Sequence, residues 1–287
     1  MKSILILMVI GFTMMSCSKK LNSQTKKQEK MELTNKEKAV ALVEAFETGS
    51  SKVLDYVSDE KYIQHNLSFP DGKNAIVGFF TDKPTGITVK VHRAIEDGNL
   101  VALHSTYGGV WNNGTPQVAF DVFRFENGIA VEHWDNLLKV AKPNASGRTQ
   151  TDGTSEVTDK DKQESNRTLV KELMDVAFIG GDYSNVTKYI SPKQYLQHNP
   201  SVADGLDGFN DFVGKMAKQN IFMKYSKCYQ IIADGNFILT LADGTFGDQE
   251  VAYYDLFRLE DGIVVEHWDV VANIPPKSEW KNINGKF

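Results

Sequence analysis

Two stretches of this chain are near copies of one another, and that limits the folds open to it more than any other feature. Phe120 to Asp135 reads FDVFRFENGIAVEHWD and Tyr254 to Asp269 reads YDLFRLEDGIVVEHWD, identical at eleven of sixteen positions. Upstream, YIQHN at Tyr62–Asn66 is echoed by YLQHN at Tyr195–Asn199. The two echoes share an offset of 133 or 134 residues, so one unit of somewhat over a hundred residues occurs twice. With 287 residues and 41% hydrophobic content, the chain can bury two ordinary cores.

The pattern along each unit runs from helical to alternating. Thr34-Asn35-Lys36-Glu37 has the form of a capping box, followed by Ala39, Leu42, Val43 and Phe46 on one helical face, with Gly49 ending the run. The second unit repeats this with Asp161 and Glu164, then Leu169, Leu173 and Ala177, then Gly180-Gly181. Short helices are expected over Lys52–Val57 and Asn185–Ile190, and again over Asn74–Phe80 and Gly208–Ala217. Alternating runs separated by turn residues such as Asp97-Gly98 and Asp234-Gly235 then predict an antiparallel meander. Each unit is therefore α+β: helices first, packed on a curled sheet.

The ends and the joint carry different signals. Residues 1–16 pair Lys2 with an apolar run from Ile4 to Phe12, the form of an export signal and too short to span a bilayer as a helix. It leads to Met14-Met15-Ser16-Cys17, which resembles a bacterial lipobox and marks Cys17 for lipidation, so a membrane-anchored lipoprotein of the cell envelope is expected. Residues 17–33 read as a polar tether, 34–142 as the first domain, 143–160 as a flexible linker, 161–276 as the second domain and 277–287 as a tail. The anchor is the only membrane contact expected. With Cys17 lipidated, Cys228 is the one remaining thiol. A net charge of −5 gives no basic field, which argues against nucleic acid as a partner.

Chemistry is argued from the closing hairpin. A two-residue Asn127-Gly128 loop pairs Phe125 with Ala130, whereas a three-residue loop pairs Phe125 with Ile129. The three-residue loop collects Phe123, Phe125, Ile129 and Val131 on one face, and Phe257, Leu259, Ile263 and Val265 in the other copy, so that register is expected. It places Asp121, His133 and Asp135 on the apolar face, with Asp121 across from His133, and repeats the group as Asp255, His267 and Asp269. Arg124, Glu132 and Trp134 fall on the opposite face as an ion pair and a packing surface, as do Arg258, Glu266 and Trp268. Carboxylates and an imidazole on an apolar face are costly unless paired, hydrated or used. The His spacing lacks the close pattern of a metal site, so none is expected.

With helices first, a meander after, Tyr-x-Gln-His-Asn between them and Asp-x-Phe-Arg…Glu-His-Trp-Asp at the end, each unit resembles a SnoaL-like domain. That family has the fold named for nuclear transport factor 2, an α+β cone enclosing one pocket. The resemblance implies a small apolar or carbonyl-containing ligand and cofactor-free acid/base chemistry: aldol condensation, isomerisation or dehydration. It matches the family's acid/base residue to Asp135 and Asp269, places Asp121 and Asp255 beside it, and brings His65 and His198 to the same cavity near Phe123 and Phe257. The competing expectation is a lipid-anchored protein that binds a small apolar molecule without transforming it. The Trp134 and Trp268 faces suggest that the units pack together as an internal pseudo-dimer.

Overall fold

The computed structural model describes residues 32–287, so the export signal, Cys17 and most of the tether lie outside the described residues. In the first unit, helix α1 (Asn35–Thr48) starts at the expected capping box, Thr34 accepting from the Glu37 amide and the Glu37 carboxylate from the Thr34 amide. Strand β1 (Ile63–Gln64) and a single turn α2 (Asn74–Val77) precede β2 (Ile87–Asp97), β3 (Leu100–Gly109), β4 (Gln117–Glu126) and β5 (Ile129–Lys139). In the second unit come α3 (Gln163–Leu173), β6 (Leu196–Gln197), α4 (Gly205–Lys218), β7 (Met223–Asp234), β8 (Phe237–Phe246), β9 (Gln249–Glu260) and β10 (Ile263–Asn273). The expected second capping box does not form: Asp161 lies in a 3₁₀ turn and α3 starts without a side-chain cap.

The sheets have the same order, β1-β5-β4-β3-β2 and β6-β10-β9-β8-β7. In each, the short strand runs parallel to its neighbour and the other four form the meander. Alternation sends one face of each sheet to its own helices. Val101, Leu103, Ala119, Phe123 and Phe125 meet Ala39, Leu42 and Val43 of α1, while Ile238, Tyr253 and Phe257 meet Val170, Leu173 and Met174. The other faces meet one another in a third apolar cluster. Ala102, Val118, Phe120, Val122 and Trp134 from the first sheet join Leu239, Ala252, Tyr254, Leu256 and Trp268 from the second. Asn136 crosses this contact to donate to the Ala252 and Val270 carbonyls, 3.0 and 2.7 Å away.

The closing hairpin departs from the expected register in an instructive way. Asn127 and Gly128 both have positive φ, 49° and 76°, so the turn is the two-residue type and Phe125 pairs with Ala130. Ala130, and Val264 in the second unit, take the core positions expected for Ile129, Val131 and their counterparts. A bulge at Val131 then adds a residue to β5. Beyond it Asp121 lies opposite Asp135 and Phe123 opposite His133, two positions from the expected pairing. A shift of two preserves parity, so Asp121, His133 and Asp135 still share the inner face. The second hairpin repeats both features, with the bulge at Val265.

The segment expected to be a flexible linker is packed. Asn144, buried, donates to the carbonyls of Gln197, Asn199 and Val202, and Arg148 pairs with Asp204 at 2.8 Å. The tail does the same to the first unit: Asn282 donates to the carbonyls of Asn66 and Phe69, and Asn284 to Gln64 and Asp71. Polar composition signalled a flexible linker in residues 143–160, but the asparagine amides of both segments are spent mainly on backbone carbonyls of a loop in the opposite unit.

Candidate active site

Strand pairing assembles the same network in each unit. In the second, His267 Nε2 lies 3.1 Å from Asp255 Oδ1 and Nδ1 lies 3.2 Å from Gln197 Oε1. Tyr225 donates to both Asp255 oxygens at 3.2 Å, and Asn199 donates to Asp269 Oδ2 at 2.7 Å. In the first, His133 sits 3.4 Å from Asp121 and 3.0 Å from Gln64, Tyr107 donates to Asp121 at 2.9 Å, and Asn66 donates to Asp135 at 2.6 Å. Each imidazole rests against the phenylalanine opposite it on the sheet, with ring centres 4.6 Å apart for Phe123–His133 and 4.9 Å for Phe257–His267. In each network one carboxylate oxygen, Asp135 Oδ1 or Asp269 Oδ1, is buried without a hydrogen bond.

These contacts fix the chemistry available. Gln64 Oε1 and Gln197 Oε1 can only accept, so Nδ1 of each histidine carries a proton and Nε2 faces a carboxylate. Burial raises the Asp269 carboxyl above its ordinary range; His267 opposes this and the facing Asp255 adds to it. Burial likewise raises Asp121, against the pull of His133 and with a contribution from Asp135. Burial works against a charged His267, but its bond to Asp255 and the charges of Asp269 and Asp255 raise it on balance. The ligand atoms of each Asp-His-Asp group lie within 4.8 Å of one another, a separation a divalent cation could bridge. Each Nε2 is already paired with a carboxylate.

The two cavities differ in size. The first unit's group lines a space of about 50 Å³, room for one or two waters. Phe46 packs against Phe79 and Phe80 at 5.1 and 5.2 Å, and Trp111 stacks on Tyr107 at 4.9 Å, filling the volume. In the second unit, His267 and Asp269 face a cavity of about 420 Å³ closed by Phe178, Phe209, Phe212 and Met216. That size suits a small-molecule ligand. A second space of about 360 Å³ lies against α4 and shares Phe209, Phe212 and Met216 with it.

His65 and His198, expected in the cavities, face the other way. His65 stacks on Trp134 at 4.9 Å and meets Glu132 at 3.0 Å; His198 stacks on Trp268 at 4.5 Å and meets Glu266 at 2.8 Å. Glu132 and Glu266 each hold an arginine, Arg124 and Arg258, at 2.6 Å. Alternation on β1 and β6 is the cause: with Gln64 and Gln197 directed inward, the next residue points out. Gln64, Asn66, Gln197 and Asn199 are the residues of that motif that reach the site. Strand parity within the motif could have found them. Tyr107 and Tyr225 gave no such signal, because one stands on β3 and the other on β7, non-equivalent strands of the repeat.

Each unit is an α+β fold of helices on a curled sheet, with a buried Asp-His-Asp group on the sheet's inner face. Residues 39–133 match the family model described as a SnoaL-like domain. No curated protein matches the chain. Among solved structures, a proposed ketosteroid isomerase of Kribbella flavida aligns at 18% identity, covering 40% of this chain and 84% of its own, with a TM-score of 0.32. IdmH, a proposed polyketide cyclase of Streptomyces antibioticus, aligns at 19% identity, covering 37% and 92%, with a TM-score of 0.30. An LEH-like epoxide hydrolase of M. tuberculosis aligns at 18%, covering 39% and 85%, also at 0.30.

Proposed function

We propose that this chain is an exported, lipid-anchored protein whose second unit binds a small, largely apolar carbonyl compound and moves a proton on it without a cofactor. The observation that carries this reading is Asp269 Oδ1: buried, without a hydrogen bond, and facing a cavity of about 420 Å³. A carboxylate with a raised pKa is a competent base for a proton next to a carbonyl, and the Asn199 amide steadies its other oxygen. The reactions within reach are aldol condensation, isomerisation and dehydration. The third apolar cluster and the exchanged segments support an internal pseudo-dimer in which the filled first unit stiffens the second.

The test is solvent deuterium exchange into the α-position of a panel of apolar ketones, without cofactor. Asp269→Asn is expected to lower the rate by roughly 100-fold or more. Equal rates for wild type and Asp269→Asn would overturn the assignment. The reading as a binding protein draws on the His267 ring, both of whose nitrogens are already engaged. It is favoured if a ligand co-purifies intact and Asp269→Asn weakens its retention while no exchange is seen. The anchor is tested by palmitate labelling, which Cys17→Ser is expected to abolish together with membrane fractionation. Among the described residues no helix is long and apolar enough to cross a membrane.

A further inference from the structure

The repeat extends into the exchanged segments. Asn144-Ala145-Ser146-Gly147-Arg148 and Asn282-Ile283-Asn284-Gly285-Lys286 share an asparagine that binds the opposite loop, a glycine with φ near +80° and a cation one residue later. The cations part company. Arg148 is tied to Asp204 outside the second unit's cavity. Lys286 turns into the first unit, where its Nζ donates to the Asp135 carbonyl and lies 3.6 Å from Asp135 Oδ1.

Asp135 Oδ1 is a buried carboxylate oxygen left without a hydrogen bond. Asp135 and Lys286 also line an outer cavity of about 530 Å³, bordered by Asn66, Trp111, Gln117 and Asn273. This space adjoins the filled inner pocket, sharing Asn66, Trp111 and Asp135 with it, and is large enough for a small organic molecule. An amine whose side chain is only 13% exposed, a carboxylate within reach of it and an open cavity beside both are the elements of amine catalysis.

We propose that Lys286, delivered by the C-terminal segment, makes this outer cavity an amine site that captures small aldehydes and ketones as imines. The Nζ lone pair forms the N–C bond to the carbonyl carbon while the π pair moves to oxygen. Asp135 relays one nitrogen proton to the alkoxide, giving the carbinolamine, and then the second to its hydroxyl, which leaves as water as the C=N bond forms. The balance is amine plus carbonyl to imine plus water, with no oxidant or reductant. Burial favours the neutral amine that this step needs, the charge of Asp135 opposing it. The proposal does not depend on the proton transfer assigned to Asp269.

The experiment treats the full chain with acetylacetone, a 1,3-diketone that condenses with a neutral amine to a stable, ultraviolet-absorbing enaminone. Peptide mapping at about pH 7 is expected to place the adduct on Lys286 ahead of every other lysine, because burial favours its neutral form. Lys286→Arg, which keeps a cation beside Asp135, is expected to lose the absorbance at unchanged Tm. An adduct spread evenly over exposed lysines such as Lys281, or an undiminished signal in folded Lys286→Arg, would overturn the proposal. Should that variant fail to fold, the wild-type map decides alone.

Discussion

Glu266 is the centre of a buried polar cluster on the sheet face turned away from the cavity. It holds Arg258 on one oxygen and His198 on the other, and all three are buried. Removing it leaves Arg258 with only the more exposed Glu260, so Glu266→Ala is expected to cost about 3 kcal/mol in urea unfolding. Glu132→Ala is expected to cost less, since Glu132 and Arg124 remain 15% and 22% exposed. His267 supplies a second prediction. Its folded pKa is raised, so its stabilisation is complete below the unfolded value of about 6.5 and is lost as pH rises through the higher folded value. Asp269 is also raised, so ionising it destabilises the fold in a lower window, from about 3.9 up to its own folded value. Unfolding free energies measured across pH should show the upper decline in wild type and not in His267→Gln. A matching slope in both would refute that origin.

At the scale of elements, α4 is the piece most free to move. It is amphipathic yet has no fully buried residue, and cavities lie on both sides of its Phe209–Phe212–Met216 face. Gly205 with φ +84° and Asn220 with φ +56° bracket it in left-handed conformations, where the backbone changes direction. Hydrogen exchange is expected to be far faster in residues 205–218 than in β9 and β10, and to slow when the cavity is filled. Equal protection in the free protein would show α4 to be fixed. The strands were largely legible from alternation, to within a few residues. The hairpin was half legible: Asn127-Gly128 prescribes its own turn, but the bulge at Val131 is a tertiary compensation. It lets a tight turn coexist with a face pattern that favours a longer one. Deleting Val131 removes the unpaired residue and leaves Phe125 facing Ala130 and Arg124 facing Glu132, so cooperative unfolding is expected to survive it.

For the whole molecule, the exchanged segments and the third apolar cluster make each unit depend on the other. Asn144 makes three hydrogen bonds to carbonyls of the second unit and Asn282 two to the first. At about 0.5–1.5 kcal/mol per bond, Asn282→Ala is expected to cost about 1–3 kcal/mol and Asn144→Ala somewhat more. Residues 34–142 produced alone would expose Val118, Phe120, Val122 and Trp134, and are expected to self-associate in sedimentation. A stable monomer would contradict that dependence.

The sequence by itself determined the duplication, the α+β order of each unit and the inner face carrying Asp121, His133, Asp135 and their second copies. These follow from local periodicity, and parity survives a register error of two. Only the tertiary structure decided which member of the Gln-His-Asn motif enters the cavity, that the first pocket is filled and the second open, and that Lys286 reaches Asp135 from the far end of the chain. Volume and long-range contact depend on how elements pack, and two nearly identical motifs can be given different surroundings by the helices and segments laid across them.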